Sequence, residues 1–239
     1  MDAKELNKRQ QEIWKEMKKL AKELENGNRL PIYDGVCDLD GYLSSKPKIM
    51  WILKEPNGQI EGGELEEGGW YIPDEVFTNL EETAGQPTWQ VMIYVMYGYQ
   101  NGLKYDDMDY VRNNLEMAKV MQRIAYLNVS KLPGLNRSNE SQIEQSYMQW
   151  KPILDKQIET YSPDVIVFGN TFAHFRNDFK NNSLVQIGNI PGWIDVYKSD
   201  NRILFDAYHP SRKGREYVNT LIKALNDFFP IVKSNNKYI

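Results

Sequence analysis

The run Asp164-Val-Ile-Val-Phe-Gly169 constrains this chain more than any other segment. It is short, β-branched and apolar without alternation, and it ends in glycine. That pattern marks a strand covered on both faces, as in a parallel sheet. Three other short runs belong with it: residues 47–53, bounded by Pro47 and Pro56, then 125–130, and Ile203–Asp206. Helix-like segments alternate with them, at 108–124, from about 140 to 161 with Pro152 inside, after Gly169 with Asn170 as its cap, and at 212–229. Strand and helix in alternation predict an α/β fold, a parallel sheet with helices on both faces.

The rest of the chain fits one domain, 1–239, with no dividing linker. Leu6, Ile13, Trp14, Met17, Leu20 and Leu24 recur at helical spacing. They make residues 1–28 an N-terminal helical extension. Residues 74–98 read as one or two helices, 184–197 as one or two edge strands around Pro191-Gly192, and 233–239 as a frayed tail. Residues 57–70 form a loop rich in glycine and glutamate.

Composition narrows the function classes. A net charge of -4 does not have the overall basic excess of most nucleic-acid binders, although a local patch remains compatible with it. The single Cys37 excludes an internal disulfide framework, and no cluster has metal-ligand spacing, so neither metal nor cofactor is expected. No apolar run reaches membrane-span length and the N-terminus is charged, so the chain reads as cytoplasmic, with no membrane partner.

Three strand ends carry groups able to do chemistry. Glu55 precedes Pro56 after the 47–53 run. A carboxylate there can activate water or stabilise a developing cation, or else it is a loop glutamate paired with Lys54. Asn128 ends an apolar run, where an amide must find partners and suits the edge of a base, or serves nearby backbone. His209 is one of only two histidines. In Tyr208-His-Pro-Ser211 it can donate to an oxyanion, or simply bond the turn. Ser211 is placed to cap the following helix and to hold a phosphate there. His174, between Phe172 and Phe175, reads as a packing residue.

Taken together, these segments resemble the uracil-DNA glycosylase superfamily, over about residues 47–228. Leu53-Lys-Glu-Pro-Asn-Gly58 looks like its first motif, Leu127-Asn-Val129 like its base-reading strand, and His209-Pro-Ser211 like its last motif. The resemblance implies a three-layer α/β/α sandwich around a mainly four-stranded parallel sheet. It implies hydrolysis of the N-glycosidic bond of uracil or a related deaminated base in DNA. Glu55 and His209 would be catalytic. Asn128, Pro56 and Asn57 would hold the base, with Trp70, Tyr71 or Phe77 stacked on it, and Ser211, Arg212 and Lys213 would meet the backbone. Arg212-Lys-Gly-Arg215 stands where active members place a proline and an apolar wedge. A non-catalytic protein of this fold, binding a nucleobase, nucleotide, single-stranded nucleic acid or partner protein, is the alternative.

Overall fold

The computed structural model describes residues 1–24, 29–56, 58, 60–61, 64–65, 68–134, 139–180 and 183–230. Seven α-helices lie among them: α1 (Ala3–Glu23), α2 (Leu39–Ser44), α3 (Leu80–Gly85), α4 (Pro87–Asn101), α5 (Glu140–Tyr161), α6 (Phe172–Lys180) and α7 (Arg215–Phe228). The strands are β1 (Gly35–Val36), β2 (Ile49–Leu53), β3 (Ile60–Glu61), β4 (Glu64–Leu65), β5 (Ala125–Asn128), β6 (Val165–Gly169), β7 (Val185–Ile190), β8 (Ile194–Ser199) and β9 (Arg202–Ala207).

The main sheet is mixed and seven-stranded, in the order β1-β5-β2-β6-β9-β8-β7. This corrects the expectation of a mainly four-stranded parallel sheet. β5, β2, β6 and β9 do pair in parallel. β1 adds antiparallel at one edge, and β8 and β7 add antiparallel at the other. These two flank Pro191-Gly192, where one or two edge strands are expected; β7 is the edge and β8 lies between it and β9.

Alternate residues of the inner strands feed two separate cores. Ile49, Trp51 and Leu53 pack with residues of α4 and α7, while Met50 and Ile52 pack with residues of α1, α5 and α6. The N-terminal helix buries Leu6, Ile13, Trp14 and Met17 as its spacing requires. Gln10 lies in the same stripe and is also buried. Its amide bonds both ways to the Val36 backbone, donating to the carbonyl at 3.0 Å and accepting from the N–H at 2.9 Å. A polar residue thereby ties α1 to the sheet edge.

Several local expectations need correction. The helix expected over 108–124 is a 3-10 helix confined to Leu115–Arg123. Asn170 does not show the extended backbone of a helix cap. It sits at φ +60, and its N–H donates to the Ala207 carbonyl at 2.7 Å. Ser211 does not cap α7 either, because Gly214 holds that position. No helix among the described residues is long and apolar enough to cross a membrane.

Candidate functional site at the carboxyl rim of the sheet

In open α/β sheets, ligands bind beyond the carboxyl ends of the strands, where successive connections diverge. From β2 the chain goes first to β5 on one side and then to β6 on the other. Asn128 and Glu55 lie at that switch point, and His209 follows β9, on the far side of β6. Asn128 ends β5, Glu55 lies two residues past β2, and His209 lies two residues past β9.

Two close approaches bring these ends together. β2 and β5 remain paired past their strand ends, through Val129 N–H to the Leu53 carbonyl and Ser130 N–H to the Lys54 carbonyl, both 2.8 Å. Gly134 N–H then donates to the Pro56 carbonyl at 2.9 Å, and Gly58 N–H to the Gly134 carbonyl at 3.0 Å. The Glu55 carboxyl lies directly on Gly134, where any Cβ would fall 2.7 Å from Glu55 Cγ. On the other side, Gly169 lets β9's turn cross β6. A Cβ there would collide with Leu53 and lie 3.2 Å from Pro210 Cδ and 3.6 Å from His209 Cα. His209 therefore approaches Leu53, the register partner of Asn128.

The electrostatics of His209 are specific. Ser211 N–H donates to its Nδ1 at 3.2 Å, which fixes the ring proton on Nε2. Burial, reinforced by the charges of Lys54 and Lys213, pushes its pKa down to about 4. At neutral pH it is an uncharged donor. Ser211 thus acts through its backbone, in the turn and not at a helix end. The Lys54 ammonium bonds Glu140 at the start of α5.

Asn128 is 1 % exposed, and its Nδ2 has no hydrogen-bond partner among the described residues. Its Oδ1 accepts from the Tyr126 hydroxyl at 3.4 Å. Trp51 Nε1 is the other buried side-chain atom without a partner among the described residues. It belongs to the adjacent strand, in register with Tyr126. A buried donor left unpaired costs about 1–3 kcal/mol, and natural chains rarely keep one without a use.

The three candidate stacking rings differ in accessibility. Phe77 is wholly buried, edge-on to Trp89 at 5.3 Å and to Tyr126 at 5.6 Å. Tyr71 has one face covered by Tyr33, at 4.3 Å and 12°. Trp70 is half-buried against the core that contains Phe77. Arg212 is exposed, and the Lys213 ammonium lies 4.7 Å from the Tyr208 ring centre. Asn57 and residues 59, 62, 63, 66 and 67 of the acidic loop lie outside the described residues. His174 stacks on Tyr147 at 5.9 Å, as a packing residue should.

A cavity of about 240 Å³ opens further along the rim, lined by Asn170, Asn189, Trp193, Asp195, Asp206 and Tyr208. Glu55, Asn128 and His209 are not in its wall. Asp206 stands opposite Asp195 across the β8–β9 pair, and its pKa is pushed up to about 6 by burial and then by Asp195.

Reading the sequence missed Tyr126, which bonds the amide, and the buried Asp34, Lys131 and Gln157 behind it. A signal for Tyr126 existed: two residues from Asn128 on a strand, it must share its face. No group of three or more His, Cys, Asp or Glu side chains able to hold a metal occurs among the described residues. No protein-family model matches the chain, and no curated protein is significantly similar to it.

Proposed function

We propose that the chain is a uracil-DNA glycosylase-like protein of three-layer α/β/α form. It would hydrolyse the N-glycosidic bond of uracil or a related deaminated base in DNA. The observation that carries this reading is the Asn128 amide, a buried donor without an acceptor among the described residues, at a switch point shared with a carboxylate, with a neutral imidazole on the far side of β6. The order of the four parallel strands, second-first-third-fourth by chain position, is compatible with it.

The target nucleotide leaves its stack before chemistry. Asn128 Nδ2 donates to a carbonyl of the base. As the bond to the sugar stretches, electrons move onto the base and the sugar becomes cationic. The uncharged His209 donates from Nε2 to the oxygen that gains charge, without needing to lose its own proton. Glu55 faces the sugar cation and takes a proton from the water that adds to the anomeric carbon. Access to Asn128 requires displacement of its cover, because the amide is sealed at 1 % exposure.

That seal, with Arg212-Lys-Gly-Arg215 in place of an apolar wedge, favours a second reading: a nucleobase or single-stranded nucleic-acid binder without turnover. One experiment separates the two. Free uracil is measured after incubation with single- and double-stranded uracil-containing oligonucleotides. Release by the wild type is expected to fall about 100-fold or more in His209→Ala and in Glu55→Gln, with the melting temperature nearly unchanged. No release by folded wild type removes the catalytic reading. A uracil-induced melting shift without product then selects the binder.

A further inference from the structure

The cavity of about 240 Å³ further along the rim has a chemistry of its own. Its wall holds two carboxylates, Asp195 and Asp206, and no Lys, Arg or His among the described residues. The two acids face each other across the β8–β9 pair, where like charges destabilise a sheet unless something offsets them. Asp195 is held in place. Its Oδ1 accepts from Gln186 Nε2 at 2.9 Å and from Asn189 Nδ2 at 2.6 Å. Both amides thus converge on a single oxygen of the carboxylate. Asp206 is pushed up to a pKa of about 6 by burial and then by Asp195, so it is mostly ionised at neutral pH. Arg176 acts on it from α6, but that guanidinium lies over the Tyr197 ring, 5.5 Å from its centre, and is not in the cavity wall.

The other walls are aromatic. Trp193 and Tyr208 have ring centres 6.4 Å apart and planes at 89°, so they form a corner. Trp193 comes from the turn between β7 and β8, and Tyr208 follows β9, so the hairpin and the sheet together set that angle. Tyr208 is 49 % exposed and already attracts a cation, the Lys213 ammonium at 4.7 Å from its ring centre. Ring faces are negative and draw cations, most strongly Trp. A phosphate or carboxylate would meet two like charges here. A neutral apolar ligand would strip water from two carboxylates with no return. A hard metal ion needs about six or more oxygens, which these two acids do not provide. A weakly hydrated cation is attracted by both kinds of wall.

We propose that this cavity is a second ligand site, taking the headgroup of a small alkylammonium ion, a quaternary or methylated amine. Trp193 and Tyr208 lie against its methyl groups, and Asp195 and Asp206 supply the counter-charge. The site goes beyond the base-site reading and does not depend on it, since Glu55, Asn128 and His209 are outside its wall.

The test uses the full chain and choline as the probe. The control ligand is the neutral alcohol of the same shape, in which carbon replaces the choline nitrogen. Affinities are measured by calorimetry at neutral pH and low salt, and nuclear Overhauser contacts are sought between the choline methyl protons and the indole. Wild type is expected to favour choline over the alcohol by about tenfold or more. Trp193→Leu should weaken choline by about fivefold or more, and Asp195→Asn and Asp206→Asn by about tenfold each, at nearly unchanged melting temperature. No saturable choline binding by folded wild type overturns the proposal. Equal affinity for the alcohol reduces the site to an apolar hollow and overturns it as well. Choline binding that is unchanged in Trp193→Leu or in Asp206→Asn places the ligand elsewhere, and the proposal falls. Base release enters none of these readouts, so failure here leaves the glycosylase reading standing, and failure of that reading leaves this site untouched.

Discussion

Two buried polar groups sit back to back at the end of β5, and they are built on opposite rules. Behind the strand, Asp34, Lys131 and Gln157 are completely buried. Asp34 Oδ2 accepts from Lys131 Nζ and from Asn128 N–H, both at 2.7 Å, and Oδ1 accepts from Gln157 Nε2 at 2.7 Å. Lys131 also donates to Gln157 Oε1 at 2.8 Å, and Trp14 Nε1 donates to the Asp34 carbonyl at 2.9 Å. Every side-chain polar atom in this group has a partner. On the other face, the Asn128 amide accepts from the Tyr126 hydroxyl and keeps a donor that has no partner among the described residues. A completed buried network rigidifies and specifies a fold, while a leftover donor costs stability. The first group joins α1, β5 and α5; the second waits at the rim.

The sharpest way to break this contrast is at Lys131. Lys131→Met leaves the Asp34 carboxylate buried without its cation. Removing one partner of a buried pair costs about 3–5 kcal/mol, a large part of the 5–15 kcal/mol that holds a typical domain. Urea unfolding should register a loss of that size. A loss below about 1 kcal/mol would mean that the group is not architectural and that the two centres do not differ in kind.

Next in size is Gly134→Ala, which acts on the site alone. The added methyl meets the Glu55 side chain, and the flexible carboxyl end gives way before the backbone does. Displacement of a reacting group by about 1 Å costs around 100-fold in rate. Base release should drop by that factor at nearly constant melting temperature. Unaltered release would show that the carboxylate's position on Gly134 has no bearing on chemistry.

These expectations also show why some of the molecule was legible in sequence and some was not. β6 and α1 were readable because their signals are local: an unbroken apolar run and a helical stripe. The rim residues were readable because each follows such a run directly. Lys131 and Asp34 were not, since 97 positions separate them and nothing near either one marks a charge for burial. β1 was not readable because two residues are too few to show a period. The caps proposed at Asn170 and Ser211 failed for tertiary reasons. A left-handed turn delivers the Asn170 N–H to β9, and the His209 ring takes the Ser211 N–H. Local propensity cannot see a partner brought in from elsewhere in the fold.

A smaller effect sharpens the same contrast from the other side. Leucine is close to asparagine in size and has nothing to leave unpaired. Asn128→Leu should therefore change stability by less than about 1 kcal/mol, since a costly orphan donor goes while the Tyr126 hydroxyl loses its acceptor. Base binding should be abolished in the same variant. A melting temperature lowered as far as by Lys131→Met would place Asn128 with the architectural group.

The smallest effect is in the pH dependence of stability, where the rim carries two opposed groups. His209 titrates near 6.5 when unfolded and near 4 when folded, through burial and the charges of Lys54 and Lys213. Between those values the unfolded chain binds the extra proton, so stability present above pH 6.5 is lost as the solution is acidified toward 4. Asp206 moves the other way, from 3.8 to about 6, through burial and then Asp195. Between those values the folded chain holds the extra proton, and acidification adds stability. The two slopes oppose each other over nearly the same window. Asp206→Asn should steepen the loss of stability between pH 6.5 and 4.5, and His209→Gln should flatten it, when urea midpoints are compared across that range. His174, whose pKa burial also lowers, adds a slope of the His209 sign, so His209→Gln reduces the loss without removing it. Equal slopes in wild type and His209→Gln would mean that the imidazole is not held neutral by the fold, and the uncharged donor at the rim would have to be abandoned.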